Sequence, residues 1–446
     1  MTHLHFFENL GWREGQAKSL EEVHRSVPIP ETLSFTRKML AFAGPGFLIA
    51  VGYMDPGNWA TDLAAGSKFG YTLLFVVLIS NLFAILLQHL ALKLGIATGR
   101  DLAQMCRENF PRPVSFALWL LAEGMIIACD LAEVIGSAIG LNLLFGIPLI
   151  FGIVITAADV LVLLALQSRG FRYLEAVIIT LIGTIMTCFG IEIALAQPAI
   201  AQLVVGFIPT GALFSNTDML YIAIGILGAT VMPHNLYLHS AIVQTRQYSE
   251  DERGKREAIF FSTIDSTVAL SLAFFVNAAI LVVSSAVFFS GGLTEIAEIQ
   301  EAHRLLAPLL GTTLASVAFA LALLASGQNS TITGTLAGQI IMEGFLRIRL
   351  APWARRMVTR LLAIIPAIVV VVLYGEHELS KLLVLSQVIL SLQLPFAVFP
   401  LVYFTSSRSR MGVFANSVYL SFVAYTIALV IAFFNGWLLY LIFWGT

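Results

Sequence analysis

Charged side chains are scarce in this 446-residue chain, where they make up 12% of the residues, whereas about a quarter is usual in soluble proteins. Hydrophobic residues make up 58%, and the mean hydropathy is +0.87. A soluble globule of this size could not cover its surface with so few charges, which excludes a cytosolic enzyme or a disordered tail. The net charge of −2 provides no basic face for nucleic acid. Lipid must be the solvent for most of the chain.

Cysteine is also rare, and no nucleotide-binding loop is present. The three cysteines, Cys106, Cys129 and Cys188, form no Cys-x-x-Cys pair, which excludes a disulfide framework and a zinc finger. No Gly-x-x-x-x-Gly-Lys-Ser/Thr motif occurs, so ATP is not expected to be the energy source. Residues 1–38 lack the apolar core and cleavage site of an export signal, and we expect them to form a cytoplasmic arm.

Long apolar runs follow the arm, and eleven of them are long enough to cross a bilayer as helices. They are continuously apolar, without the alternation of a membrane barrel, and so predict an all-α integral membrane protein. Of the 25 Lys and Arg residues, 22 fall on the side of the arm, which predicts a cytoplasmic N-terminus and an extracellular C-terminus in the cell membrane. The predicted spans are 39–66, 71–97, 114–144, 147–166, 172–195, 218–246, 258–288, 305–343, 360–374, 381–404 and 413–441.

Two polar interruptions with one shared frame lie in the first and sixth spans. Each has a small residue, two further residues, a side chain able to bind metal, a proline, any residue and an asparagine. The sixth span is expected to run opposite to the first, and matching interruptions in oppositely directed helices are typical of inverted-repeat transporters. The positions are Gly52 and Ala229, Asp55 and Met232, Pro56 and Pro233, and Asn58 and Asn235. A proline in a single span is often only a kink, but the repeated frame favours a binding site.

Each proline should free backbone carbonyls about one turn upstream, near Gly52 and Ala229. A free carbonyl in lipid costs several kcal/mol unless a partner satisfies it, and a cation can do so. Carboxylate and amide oxygens suit hard ions, whereas the Met232 thioether is soft. We therefore predict a mid-membrane site that favours Mn²⁺, Fe²⁺, Co²⁺ and Cd²⁺ over Ca²⁺ and Mg²⁺. The alternative for Met232 is that it only fills space.

Ionisable residues inside spans usually mark ion or proton routes. The third span carries Glu123, Asp130 and Glu133 on one helix face. Asp55 is the natural first proton acceptor, because arrival of a metal would expel its proton. We expect a relay from Asp55 through Asp130 and Glu133 toward the cytoplasm. The other candidates are His234 and His239, which could instead be packing residues, and Arg360, whose partner would be Asp130 or Glu123.

The two interruptions resemble the signature pair of the Nramp family of divalent-metal transporters. The motifs are Asp55-Pro56-Gly57-Asn58 and Met232-Pro233-His234, and further similarity includes Ala122-Glu123-Gly124 and Asp130-Leu-Ala-Glu133. The resemblance extends from about Gly44 to the last span, and Gly52 stands where an alanine is expected.

The resemblance implies a LeuT-type fold of two inverted repeats, 39–195 and 218–404, joined by an extracellular connector, 196–217, and followed by an extra helix within 405–446. It implies proton-coupled import of Mn²⁺ or Fe²⁺ as cargo, with no cofactor. It also implies that the metal ligands are Asp55, Asn58, Met232 and the Ala229 carbonyl, with Gly52 and Gln387 contributing in some conformations.

Two other functions remain open at this point. An ion-coupled amino-acid symporter could use the same fold. An intramembrane metalloenzyme could use His234 and His239, although their i, i+5 spacing places two imidazoles less well than i, i+4 does. The sequence does not distinguish Mn²⁺ from Fe²⁺ and does not indicate an oligomeric state.

Overall fold

The computed structural model describes residues 13–14, 20, 23–30, 34–158, 170–294, 298–346, 348–349, 352–375 and 378–444. Helices dominate these residues, and the strands among them are two residues long. Strand β1 (Arg13–Glu14) pairs antiparallel with β4 (Ile348–Arg349), and β2 (Val27–Pro28) pairs parallel with β3 (Arg246–Gln247). The pairing of β2 joins the N-terminal arm to the end of the sixth predicted span.

The helices before residue 210 correspond to the first five predicted spans, as far as the structure describes them. They are α1 Phe35–Phe42, α2 Pro45–Gly52, α3 Pro56–Phe69, α4 Leu74–Thr98, α5 Leu102–Asn109, α6 Arg112–Phe145, α7 Leu149–Ile155, α8 Phe171–Ala196 and α9 Ile200–Val205.

The helices after residue 210 correspond to the remaining predicted spans. They are α10 Thr217–Val231, α11 Pro233–Ile242, α12 Glu252–Ser284, α13 Ile299–Leu310, α14 Thr313–Leu346, α15 Pro352–Tyr374, α16 Leu379–Ser406, α17 Arg408–Met411 and α18 Val418–Trp444.

Local chemistry explains many of these boundaries. Pro56 and Pro233 occupy the first positions of α3 and α11, where the missing N–H costs nothing. Helices α4, α6 and α13 end on Gly99, Gly146 and Gly311, whose φ angles of +65°, +67° and +70° suit glycine at a helix C-terminus.

Seven helical stretches of the described chain are long and apolar enough to cross a membrane, and Met357–Leu373 is a shorter apolar helix. Those matching the third, fifth and tenth predicted spans begin and end within two residues of the predicted bounds. The stretches are Pro56–Thr98, Arg112–Phe145, Phe171–Ala196, Thr217–Thr245, Glu252–Phe289, Leu379–Ser406 and Val418–Trp444.

Several predicted span boundaries were wrong. The first span, 39–66, is interrupted a second time at Gly44, whose φ of +136° separates α1 from α2. The eighth, 305–343, is divided at Gly311, so that its first residues belong to the separate helix α13. A continuously apolar run of sequence gives no sign that a glycine within it ends a helix. The ninth and eleventh predicted spans, 360–374 and 413–441, correspond to helices α15 and α18, which begin at Pro352 and Val418. Residues 159–166 of the fourth predicted span lie outside the described part.

The interrupted helices occupy the centre of the molecule. All ten residues of α11 and seven of the eight in α2 are buried. The last helix, α18, is peripheral, since large apolar side chains such as Phe422 and Leu429 remain exposed along it. Exposed apolar side chains on outer helices suit a lipid solvent. The two predicted interruptions therefore lie in the protein interior.

Candidate metal centre

The first break separates α2 from α3 and brings a carboxylate to the start of α3. Asp55 has extended backbone angles (φ −70°, ψ 164°), and its Oδ1 accepts a hydrogen bond of 2.8 Å from the Asn58 N–H. The carboxylate thus caps α3. Its other oxygen, Oδ2, and the Asn58 Oδ1 are buried and have no hydrogen-bond partner among the described residues.

The second break is a single residue between α10 and α11. Met232 is fully buried and has φ +38° and ψ 97°, a left-handed conformation that is strained for a residue with a side chain. Its N–H donates to the Gly228 carbonyl at 3.2 Å, and its own carbonyl accepts from the Asn235 N–H at 3.1 Å. The surrounding structure therefore holds a strained methionine at a helix break, as is typical of functional sites.

The two breaks lie against each other. The Tyr53 hydroxyl donates to the Val231 carbonyl at 3.3 Å, and the Asn235 amide donates to the Ile49 carbonyl at 3.2 Å. A side chain at each break thus donates a hydrogen bond to a carbonyl in the last turn of the helix that precedes the other break. A Cβ on Gly52 would overlap the Asn235 amide and lie 3.1 Å from the Met232 sulfur. The glycine at this position, where an alanine was expected, allows that close approach.

Helix α16 brings a further oxygen to the same point. Gln387 packs on Gly57 so closely that a Cβ at residue 57 would overlap its side chain, which also faces the Asp55 carboxylate. The Gln387 amide nitrogen donates to the Ser386 hydroxyl at 3.1 Å, whereas its Oε1 has no partner among the described residues.

Three buried oxygens on neighbouring residues are therefore unsatisfied within the described chain, one each from Asp55, Asn58 and Gln387. Leaving such groups buried without a partner is costly, and a divalent cation would satisfy them. Ala229 is buried in the last turn of α10, and Pro233 has no N–H to offer its carbonyl. The described residues hold no group of three His, Cys, Asp or Glu side chains suited to a metal. The candidate site depends instead on one carboxylate, amides, a carbonyl and a thioether.

Two of the predicted proton-route carboxylates, Asp130 and Glu133, are buried on α6 beside Arg360 of α15. The Arg360 guanidinium lies 3.4 Å from the Glu133 carboxylate and donates to the Asp130 backbone carbonyl at 3.3 Å and to the Thr331 hydroxyl at 2.6 Å. The prediction named Asp130 or Glu123 as the carboxylate partner of Arg360. The structure adds Glu133, which the prediction did not name, and the guanidinium reaches Asp130 through its backbone carbonyl. Asp130 and Glu133 lie on one helix face, so spacing alone could not choose between them.

Glu123 lies elsewhere on α6. Its side chain is half-buried and accepts a 3.1 Å hydrogen bond from Trp119 on the same helix. Ten residues of helix separate it from Glu133, which corresponds to about 15 Å. The structure does not bring Glu123 to the carboxylates near the breaks.

The two histidines of α11 face different partners. The Nε2 of His234 lies 3.9 Å from the Cys129 sulfur, whereas the Nδ1 of His239 lies 3.0 Å from the Gln88 Oε1. They are therefore not arranged as a shared metal-binding pair. Gln88 also donates to the Tyr53 hydroxyl at 2.8 Å, so a buried chain of hydrogen bonds joins His239 to the first break.

Sequence reasoning missed Gln88, Tyr53 and Cys129. Gln88 carried a usable signal, because it is a polar residue inside the apolar second span. Cys129 and Tyr53 resemble ordinary residues of an apolar span, and only contacts between helices reveal their neighbours.

Comparison with known proteins supports the same family. The sequence model of the Nramp family (natural resistance-associated macrophage protein-like) matches residues 46–441. The divalent metal cation transporter MntH of Nostoc is 61% identical over 427 residues, which cover 96% of this chain and 97% of that protein.

Solved structures agree in fold. The manganese transporter of Eremococcus coleocola, crystallised with an aromatic bis-isothiourea substituted compound, is 43% identical with a TM-score of 0.87, and the match covers 94% of this chain and 90% of that chain. Mhp1, a nucleobase-cation-symport-1 family transporter, is 16% identical with a TM-score of 0.58 over 88% of each chain, which shows the fold alone. The predicted all-α, LeuT-type fold is confirmed, while the number of spans stays a prediction.

Proposed function

The chain belongs to the Nramp family, and we propose that it imports a divalent transition-metal ion together with protons. The cargo would be Mn²⁺ or Fe²⁺, and Co²⁺ and Cd²⁺ would also be carried. Family membership makes the chain a transporter and not the metalloenzyme considered above. The relatives described above are named as transporters of divalent metal cations and of manganese.

The observation that carries the proposal is the set of unsatisfied buried oxygens beside a buried sulfur. Asp55, Asn58 and Gln387 each have an oxygen without a partner in the described chain, and the Met232 sulfur lies at the facing break. A metal ion that exchanges its water for these ligands would be held by both interrupted helices. The Ala229 and Gly52 carbonyls would complete the coordination in particular conformations.

Selectivity would come from the sulfur. Ca²⁺ requires many oxygen ligands, and Mg²⁺ keeps several of its bound waters. A thioether in place of one oxygen ligand therefore weakens the binding of both ions. Transition-metal ions and Cd²⁺ accept a sulfur ligand more readily. We propose that Met232 excludes the abundant hard ions in this way.

Alternating access would follow from the paired breaks. A cavity of about 440 Å³ is lined by the last turns of α3 and the first turns of α10 and α16, including Lys68, Asp218 and Ser380. We propose that this cavity lies on the extracellular side. The inner halves, α2 and α11, would move to release the ion to the cytoplasm, with hinges at Asp55 and Met232.

Protons would follow a separate route through α6. Asp55 would release its proton when the metal arrives, since a coordinating carboxylate must be ionised. Asp130 and Glu133, with Arg360 beside them, would pass the proton toward the cytoplasm. His234 would assist this transfer, and His239 would act through the hydrogen bonds that join it to Tyr53.

Purified protein in liposomes loaded with a pH-sensitive dye tests the proposal. We expect external Mn²⁺ to enter, to acidify the interior as it does so, and to enter faster when the outside is made acidic. Ca²⁺ and a mixture of amino acids are the controls and should not enter. Mn²⁺ entry without acidification would contradict proton coupling, and uptake of an amino acid without metal would favour the rival symporter.

The sidedness belongs to the same proposal. The bias of 22 of the 25 Lys and Arg residues supports a cytoplasmic arm and an extracellular C-terminus in the cell membrane. Protease treatment of intact cells that express a C-terminal epitope tag should remove the tag, while an N-terminal tag should stay protected. Protection of the C-terminal tag would contradict the orientation.

A further inference from the structure

Asn235 belongs to the repeated sequence frame but has no role in the metal site described above, whereas its counterpart Asn58 is a proposed ligand. It is fully buried in the first turn of α11. Its side-chain amide nitrogen donates to the Ile49 carbonyl at 3.2 Å and to the Met232 sulfur at 3.7 Å. Both amide hydrogens are therefore used, and the side chain joins the sulfur at one break to the helix that ends at the other.

The neighbours of this amide fix its orientation. A carbonyl and a thioether accept hydrogen bonds but donate none, so the amide nitrogen must face them and the amide oxygen must point away. Gly52 leaves the necessary room, because a Cβ there would overlap the Asn235 amide nitrogen. The Asn235 Oδ1 is buried and has no hydrogen-bond partner among the described residues.

An unpartnered oxygen in the interior is costly. A leucine at residue 235 would have nearly the same shape and no such oxygen, so stability alone does not account for the asparagine. The Met232 side chain has three rotatable bonds and a high rotamer entropy. The hydrogen bond from Asn235 restricts those bonds and occupies one lone pair of the sulfur, which leaves the other lone pair for a metal ion.

We propose that Asn235 is a positioning residue that holds the Met232 thioether in the orientation that binds a soft ion. This inference rests on the proposed function, in which Met232 is a ligand. A sulfur that is fixed before the ion arrives loses little freedom on binding, and the ions that gain most from sulfur benefit most. Without the amide the thioether would turn freely, so that Cd²⁺ would bind less tightly and Ca²⁺ would be excluded less well.

The same amide makes the position of the sulfur depend on α2. Ile49 lies in the last turn of α2, which the proposed transport cycle requires to move. When α2 moves away, the Asn235 amide loses one of its two acceptors and holds the Met232 thioether less firmly. Selection for soft ions would therefore be strongest before the inner halves move, and the sulfur would loosen as the ion is released.

Isothermal titration of the purified Asn235→Leu protein with Cd²⁺ and with Mn²⁺ tests the inference. We expect the Cd²⁺ affinity to fall by about fivefold and the Mn²⁺ affinity by less than twofold, because Mn²⁺ gains less from sulfur. A merely structural residue would weaken the binding of both ions alike. Asn435→Leu is the matched control on the peripheral helix α18, since the Asn435 Oδ1 is also buried without a partner in the described chain, and it should keep both affinities.

A double-mutant cycle shows whether Asn235 acts through the sulfur. In the Met232→Ala protein, Asn235→Leu should change the Cd²⁺ affinity by less than twofold, because no sulfur remains to be positioned. X-ray absorption of the Cd²⁺-loaded protein should show a sulfur neighbour that becomes less ordered in Asn235→Leu.

An unchanged ratio of Cd²⁺ to Mn²⁺ affinity in Asn235→Leu, or a fivefold effect that persists in Met232→Ala, would overturn the inference while Met232 stays a ligand. If Met232→Ala alone leaves Cd²⁺ binding unchanged, the ligand role of Met232 in the proposed function fails first, and this inference fails with it. Asn235→Ala provides a second variant if the leucine protein does not fold.

Discussion

The two helix breaks share a sequence frame but differ in how they are built. The first break spans three residues, has ordinary extended backbone at Asp55, and uses one carboxylate oxygen to cap the following helix. The second is Met232 alone, with a left-handed φ of +38° and no side-chain cap on α11. One break is relaxed and charged, whereas the other is strained and neutral.

This difference separates two tasks that a metal site must perform. A carboxylate supplies the negative charge that offsets the cost of stripping water from a divalent ion. A thioether adds little attraction, but it changes which ions are accepted. We infer that the first break governs how strongly any divalent ion is held and the second governs which ion it is. Substitutions at the two breaks and at their contacts test this division of tasks.

The largest effect is expected from removing the charge at the first break. Asparagine can replace aspartate as a helix cap, so Asp55→Asn should leave α3 intact while removing the negative ligand. We expect Mn²⁺ uptake and the accompanying proton entry in liposomes to fall by about a hundredfold or more, corresponding to about 3 kcal/mol. Asn58→Asp in the same variant returns a carboxylate nearby and serves as the control. Full proton entry in Asp55→Asn would contradict the role of its carboxylate.

The next largest effect is expected at the second break, where selectivity should change more than affinity for Mn²⁺. Met232→Ala should weaken Cd²⁺ binding by about tenfold, or about 1.4 kcal/mol, and admit Ca²⁺ in uptake assays. Met232→Gly loses the same sulfur but relieves the backbone strain, and should be more stable than Met232→Ala by about 1 kcal/mol. Calorimetric or fluorescence melting of the two variants measures this difference. If the unmodified protein, Met232→Ala and Met232→Gly all exclude Ca²⁺ equally well, Met232 is not a ligand of the metal site.

A smaller effect is expected from the contact between the first break and α16. Gly57→Ala would push the Gln387 side chain aside, and we expect the Mn²⁺ affinity to fall by about fivefold, or about 1 kcal/mol. Gln387→Ala combined with Gly57→Ala should cost less than the two single changes added together, because both act on one side chain. Isothermal titration of the four proteins checks this. Strict additivity would mean that Gly57 acts independently of Gln387.

The smallest effect is expected from the hydrogen bonds that join His239 to Tyr53 through Gln88. Gln88→Leu removes bonds of about 1 kcal/mol each without changing a proposed ligand. The Mn²⁺ dissociation constant should stay unchanged, while the uptake rate falls by about two- to threefold because the inner halves of the broken helices are less well coupled. Tyr53→Phe keeps the ring and should give a similar change. A marked loss of Mn²⁺ binding in either variant would place the chain of hydrogen bonds in the binding site itself.

Several properties could be predicted from the sequence because their causes are local. Scarce charge and long apolar runs predict a membrane protein of helices, and the two prolines predict where helices are interrupted. The candidate ligands Asp55, Asn58 and Met232 come from the residues around those prolines. A proline or a cap acts on the backbone within a few residues, so this information is contained in a short segment.

Contacts between distant segments depend on the tertiary structure and could not be predicted from the sequence. The pairing of Arg360 with Glu133, the position of Cys129 beside His234 and the link from His239 through Gln88 to Tyr53 all join different helices. The extra interruption at Gly44 also faces a distant helix, because its N–H donates to the Asp265 carboxylate of α12 at 3.2 Å. Which face of a helix meets which neighbour depends on rotation and packing across hundreds of residues, and periodicity within one helix leaves that rotation undetermined.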